Sequence, residues 1–106
     1  MHWIYLLIAG VLEIGWAIGL KYTEGFTRLW PSLFTVITML ASIFFLAIAV
    51  QRIPIGTGYA VWTGIGAAGT AILGIVLFSE SAVLARLIFI ALILVGVVGL
   101  KVTSTG

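Results

Sequence analysis

Two long stretches without a single charged side chain constrain the fold of this sequence more than any other feature. They cover residues 29–50 and 55–79. The hydrocarbon core of a bilayer is about 30 Å thick, so a helix needs about 20 mostly apolar residues to cross it. Both stretches meet that length, which predicts two transmembrane helices.

Two shorter apolar runs complete the pattern. The first covers residues 3–20 and contains one charge, Glu13. The last covers residues 87–100, and the basic side chains of Arg86 and Lys101 can extend it by reaching the interface. We therefore expect an all-α membrane protein with four transmembrane helices, forming a single domain over residues 1–106. The expected spans lie at about residues 3–21, 29–50, 55–79 and 84–103.

Composition argues against a soluble fold. Of the 106 residues, 63% are hydrophobic and 8% are charged, whereas charged residues average about 25% in soluble domains. The apolar runs are continuous rather than alternating, which disfavours a β-barrel. The connecting loops are too short to form a soluble domain, so we expect the function to lie within the bilayer.

The polar residues argue against several function classes. The sequence has no cysteine, and no nucleophile–base pair, metal-ligand cluster or phosphate-binding loop is visible in it. We therefore expect no enzyme activity, no metal and no cofactor. The net charge of +2 is small and scattered, which does not indicate a nucleic-acid partner.

Glu13 is the one acidic residue inside an apolar run. It follows Trp3 by ten residues, or about 15 Å of helix, which places it near the middle of the bilayer. Acids at that depth are costly and are functional by default. No lysine or arginine lies inside any of the runs, so the predicted counter-ion is a proton or an external cation. The alternative is a protonated glutamic acid that only holds two helices together.

Four polar or aromatic residues are candidates to join Glu13 in a binding site. Trp16 lies one helical turn further on, and its indole N–H could donate to the carboxylate. Tyr59 and Trp62 share one face of the third helix and offer aromatic faces to a cation. Ser42 lies on the second helix. Each has a purely structural alternative, because aromatic residues often anchor interfaces and hydroxyls often bond neighbouring helices.

The positive charges show almost no bias between the two sides of the membrane. One side would carry Arg52 and Lys101, and the other would carry Lys21, Arg28 and Arg86. Since basic residues set orientation, a chain with this balance can insert both ways up. Four helices are too few to enclose a water-accessible cavity, so we expect a second copy of the chain in the opposite orientation to complete it.

Three motifs make the whole chain resemble the small multidrug resistance transporters. They are the acid of the first span (Leu12-Glu13), the loop KYTEGFTRLWPS and the segment PIGTGYAVWTGIGAAG. Within that family the chain is most similar to the guanidinium-exporter branch. The residues that indicate the branch are Trp16, the run Trp62-Thr63-Gly64-Ile65-Gly66 and the run Val98-Gly99-Leu100-Lys101.

The resemblance implies an antiparallel homodimer in a bacterial inner membrane that exchanges protons for small cations. It implies that Glu13 of both subunits binds proton and substrate in competition, with Trp16, Ser42, Tyr59 and Trp62 completing the substrate site. Guanidinium and small guanidinyl cations are the expected cargo. The alternatives are bulky quaternary ammonium or polyaromatic drug cations carried by the same mechanism, or a membrane assembly subunit that transports nothing.

Overall fold

The computed structural model describes residues 2–103, and within that range it contains four α-helices and no β-strand. The helices are α1 (His2–Tyr22), α2 (Leu29–Ala49), α3 (Ile55–Phe78) and α4 (Leu84–Thr103). All four are long and apolar enough to cross a membrane. The prediction of an all-α membrane protein with four spanning helices is confirmed.

Helix α3 ends in a tight reversal. Ser79 adopts a left-handed backbone conformation with φ of 54°, a common way to end a helix. The backbone N–H of Glu80 then donates to the carbonyl of Gly74 at 3.3 Å. This reversal folds the acidic side chain of Glu80 back towards the last turns of α3 instead of releasing it into the loop.

Helix α1 packs against both α2 and α3, whereas α4 packs mainly on α3. Helices α1 and α3 run parallel: Glu13 lies against Gly66, and further along both helices the ammonium of Lys21 lies 5.5 Å from the centre of the Phe78 ring. Within α4, which the structure describes throughout, Ile90 is the only buried residue.

The two ends of the described chain lie on the same side of the bundle. The ammonium of Lys101, in the last turn of α4, lies 4.9 Å from the centre of the Trp3 ring at the start of α1. An even number of crossings requires this arrangement. The loops after α1 and α3 therefore share the opposite side.

Candidate cation-binding site

Glu13 lies one residue beyond the middle of the 21-residue helix α1 and points at α3. A Cβ atom placed on Gly66 would lie 2.5 Å from Cδ of Glu13 and 2.7 Å from its Oε1. The carboxyl group therefore rests directly on the backbone of α3, in space that only a glycine leaves open. Its second oxygen, Oε2, is buried and has no hydrogen-bond partner among the described residues.

A groove of about 460 Å³ runs from Glu13 along the interface of α1 and α3 to the loop after α3. Each of the two helices keeps one face towards the groove over two turns, so its lining residues recur at four-residue intervals. The residues that α3 contributes, opposite α1, are mostly small. The lining residues of α1 are Glu13, Ala17 and Lys21, and those at matching intervals on α3 are Gly66, Thr70 and Gly74. Glu80 and Arg86 lie at the far end of the groove.

Ser42 on α2 contacts both α1 and α3, one helical turn from the level of Glu13. Its hydroxyl is fully buried, donates to the carbonyl of Ala9 at 2.6 Å and accepts a hydrogen bond from Nε1 of Trp62 at 2.9 Å. Ala9 lies one turn before Glu13 on α1, and Trp62 lies one turn before Gly66 on α3. Ser42 therefore fixes the register in which α1 presents its carboxylate to α3.

Two threonines precede Ser42 on the same face of α2, yet they bond only to their own helix. The hydroxyl of Thr35 donates to the carbonyl of Pro31 at 2.8 Å, and that of Thr38 donates to the carbonyl of Phe34 at 2.6 Å. Ser42 is thus the residue of that face whose hydroxyl reaches another helix.

The five predicted site residues do not converge on one pocket within a single chain. Tyr59 packs beside Trp62, with ring centroids 5.4 Å apart, and its side chain is 56% exposed. Of the five, Glu13 is the one that lines the groove in the part of the chain that the structure describes. The hydrogen bond predicted from Trp16 to Glu13 is not formed in the structure, because Nε1 of Trp16 is buried without a partner among residues 2–103.

Thr70 is a groove residue that the sequence did not single out. Its hydroxyl oxygen is buried and lacks a hydrogen-bond partner. Among the residues described, two other buried side-chain atoms also lack one: Oε2 of Glu13 and Nε1 of Trp16. Buried polar atoms are almost always paired in native structures. Its spacing of four residues from both Gly66 and Gly74 was the available signal, but that spacing has meaning only once the register between α1 and α3 is known.

Comparison with known proteins identifies the family of this chain. The family model described as "Small Multidrug Resistance protein" matches residues 1–93. This chain belongs to the small multidrug resistance family. Membership in this exporter family, four spanning helices and bacterial relatives together identify it as a multi-pass protein of a bacterial inner membrane.

Similar members of the family are named for one cargo. A protein named "Guanidinium exporter" from Yersinia pseudotuberculosis serotype I (strain IP32953) is 62% identical over 104 residues, which covers 98% of this chain and 100% of the relative. Proteins of the same name from Citrobacter freundii and Proteus vulgaris are 59% and 56% identical, with 98% of this chain and at least 99% of each relative covered.

Proposed function

We propose that this protein exports guanidinium and small guanidinyl cations in exchange for protons. The observation that carries the proposal is the carboxyl group of Glu13, which lies in the middle of α1 with one oxygen buried and unpartnered. The names of relatives at 56–62% identity support guanidinium as the cargo. On this proposal the protein is a transporter and not an enzyme.

Proton exchange is supported by the absence of a salt bridge to Glu13 among the described residues. The two salt bridges among the described residues join Arg28 to Glu24 and Arg86 to Glu80, both away from the middle of the bilayer. A lone carboxylate in hydrocarbon needs a proton or a cation to neutralise it. If one carboxylate accepts only one of them at a time, release of a proton is coupled to binding of the cargo.

The cargo assignment also has a chemical reason. Guanidinium is planar and carries its donors in one plane, so it can meet both oxygens of a carboxylate edge-on. Glu13 supplies those oxygens, and the unpartnered Nε1 of Trp16 supplies a donor that could fix the plane of the carboxylate. A quaternary ammonium has no N–H donors and would gain only charge and contact with aromatic rings.

We further propose that the transporting unit is an antiparallel homodimer. Trp16, Ser42, Tyr59 and Trp62 do not meet Glu13 in one pocket of a single chain, and the groove beside Glu13, between α1 and α3, is open to the outside of that chain. A second chain in the opposite orientation would supply the missing wall and a second Glu13. The balanced basic residues of the two sides permit such insertion.

Transport assays in proteoliposomes test the cargo directly. Purified protein is reconstituted, and currents or uptake are measured for guanidinium and for a quaternary ammonium such as tetrapropylammonium at matched concentrations. We expect transport of guanidinium and little response to the quaternary ammonium. A preference for the quaternary ammonium would support the alternative cargo, and transport of neither would favour the assembly subunit.

Labelling from the two sides of the membrane tests the homodimer. The chain has no cysteine, so a single cysteine added after residue 106 can be reacted with a membrane-impermeant maleimide in intact and in opened cells. We expect about half of the label to require opening of the cells. Labelling from one side alone would contradict the antiparallel arrangement.

A further inference from the structure

The far end of the groove holds a second carboxylate that the proposed mechanism does not use. Glu80 follows the reversal after α3, and its carboxyl group lies against the backbone of Gly74, in the space that a Cβ atom on that glycine would fill. Glu13 lies in the same way against Gly66. Two carboxylates therefore rest on glycines of one face of α3, eight residues or about 12 Å apart along the helix axis.

Thr70 lies halfway between these two carboxylates. It is four residues from each glycine, lines the same groove and carries a buried hydroxyl without a hydrogen-bond partner. A hydroxyl can accept a hydrogen bond from an N–H donor. The groove between Glu13 and Glu80 thus offers acceptors at intervals of about 6 Å, or four residues of helix, along one helix face.

Glu80 already binds a guanidinium group, which belongs to the chain itself. Nη2 of Arg86 donates to Oε1 of Glu80 at 2.8 Å, and both side chains are partly exposed, at 32% and 42%. Exposed ion pairs of this kind are weak and are screened by salt. The arginine side chain therefore presents to Glu80 the same planar group that the proposed cargo carries, in a contact that a free guanidinium ion can replace.

From this juxtaposition we infer that Glu80 is a second, peripheral binding site for guanidinium, which the cargo occupies by displacing Arg86 before passing Thr70 on its way to Glu13. The inference rests on the proposed function. The mouth of the groove also contains Lys21, held over the Phe78 ring. Its charge keeps cation binding at Glu80 weak, so the site would collect cargo without retaining it, as conduction through successive sites requires.

The chain contains a matched control for this ion pair. Glu24 and Arg28 form another exposed pair, at 3.7 Å, in the loop on the same side of the membrane. Neither of them lines the groove. Neutralising this pair removes the same charges from the same side, so it has the same effect on membrane insertion and on the general surface potential.

The experiment measures the apparent KM of guanidinium transport in proteoliposomes at low ionic strength for four variants. Glu80→Gln should raise the KM about threefold to fivefold, the range that one exposed charge pair allows. Arg86→Gln should lower it, because the tethered competitor is removed. Glu24→Gln and Arg28→Gln should each change it by less than about twofold, and raising the salt concentration should shrink the first two effects.

The opposite signs separate cargo binding from a structural role. The peripheral site is refuted if Glu80→Gln and Arg86→Gln both raise the KM, or if both change the KM no more than Glu24→Gln and Arg28→Gln do. Guanidinium transport by the wild type would still stand in either case. If the wild type does not transport guanidinium, the proposed function fails and this inference fails with it. If Glu80→Gln does not assemble, the direction of the change in Arg86→Gln decides alone.

Discussion

The two sides of helix α3 use the same packing device for different chemistry. Towards α1, Gly66 leaves room for the carboxyl group of Glu13, whose Cδ would lie 2.5 Å from an added Cβ. Towards α4, Gly64 leaves room for Val97, whose Cγ2 would also lie 2.5 Å from an added Cβ. The backbone approach is equally close on both sides, but only one side receives an ionisable group.

This comparison shows that a row of small residues in a membrane helix does not by itself identify a functional site. Glycine, alanine and threonine bring helices close together wherever they occur. On the α4 side that closeness seats a branched apolar side chain. On the α1 side it seats a carboxylate, and the groove continues past Thr70 to the charged loop. The side chain that fills the space decides what the space can do.

Replacing the acid gives the largest expected effect on the α1 side. Glu13→Gln keeps the size of the side chain and removes its charge, so we expect guanidinium binding and transport to fall below the detection limit. Glu24→Gln, which neutralises an exposed acid of the loop, should leave binding within about twofold of wild type. Isothermal calorimetry on both variants measures this, and binding by Glu13→Gln near the wild-type level would refute the site.

Removing the indole N–H of Trp16 should have the next largest effect. Trp16→Phe keeps an aromatic ring but loses the unpartnered donor. One hydrogen bond to a charged group contributes roughly 1.5–3 kcal/mol, so guanidinium affinity should fall by about one to two decades. Trp30→Phe, at a side chain that is 78% exposed, is the control. Equal weakening of guanidinium and a quaternary ammonium would mean that Trp16 only packs.

Breaking the contact between three helices at Ser42 should weaken guanidinium binding less than the changes at Glu13 and Trp16. Ser42→Ala removes the bond to the Ala9 carbonyl and leaves Nε1 of Trp62 buried without a partner, which costs roughly 1–3 kcal/mol. We expect a lower thermal midpoint and about tenfold weaker guanidinium binding. Ser32→Ala, where the hydroxyl donates to the carbonyl of Arg28 just before the same helix, should change neither. Similar losses in both variants would remove the special role of Ser42.

The smallest expected effect separates the two sides of α3 most sharply. Gly66→Ala would displace the flexible end of Glu13, so we expect severalfold weaker guanidinium binding with little change in thermal stability. Gly64→Ala would press on the stiff side chain of Val97. We therefore expect a lower midpoint of thermal unfolding, whereas the folded protein should bind guanidinium with unchanged affinity. Both quantities are measured on both variants, and the same pattern in the two would show that the sides of α3 are equivalent.

The four helices and the special position of Glu13 could be predicted because they depend on local sequence. Uncharged runs of sufficient length form spanning helices, and one acid within such a run is conspicuous. Helical periodicity also identified Tyr59 and Trp62 as residues that share one face of the third helix.

The groove and the role of each hydroxyl could not be predicted in this way. Thr35 and Ser42 have equivalent spacing on α2, but one bonds to its own helix and the other to α1. That difference depends on how closely α1 approaches each residue. The alignment of Thr70 between Glu13 and Glu80 depends in the same way on the register of α1 against α3, which no single helix encodes.

Movement of protons in liposomes is the direct test of whether Glu13 exchanges protons for guanidinium. Wild-type protein is reconstituted with a pH-sensitive dye inside, without a pH gradient, and guanidinium is added outside. We expect the lumen to become more alkaline as guanidinium enters and protons leave, whereas empty liposomes should not respond. Entry of labelled guanidinium without any change of lumenal pH would contradict proton exchange.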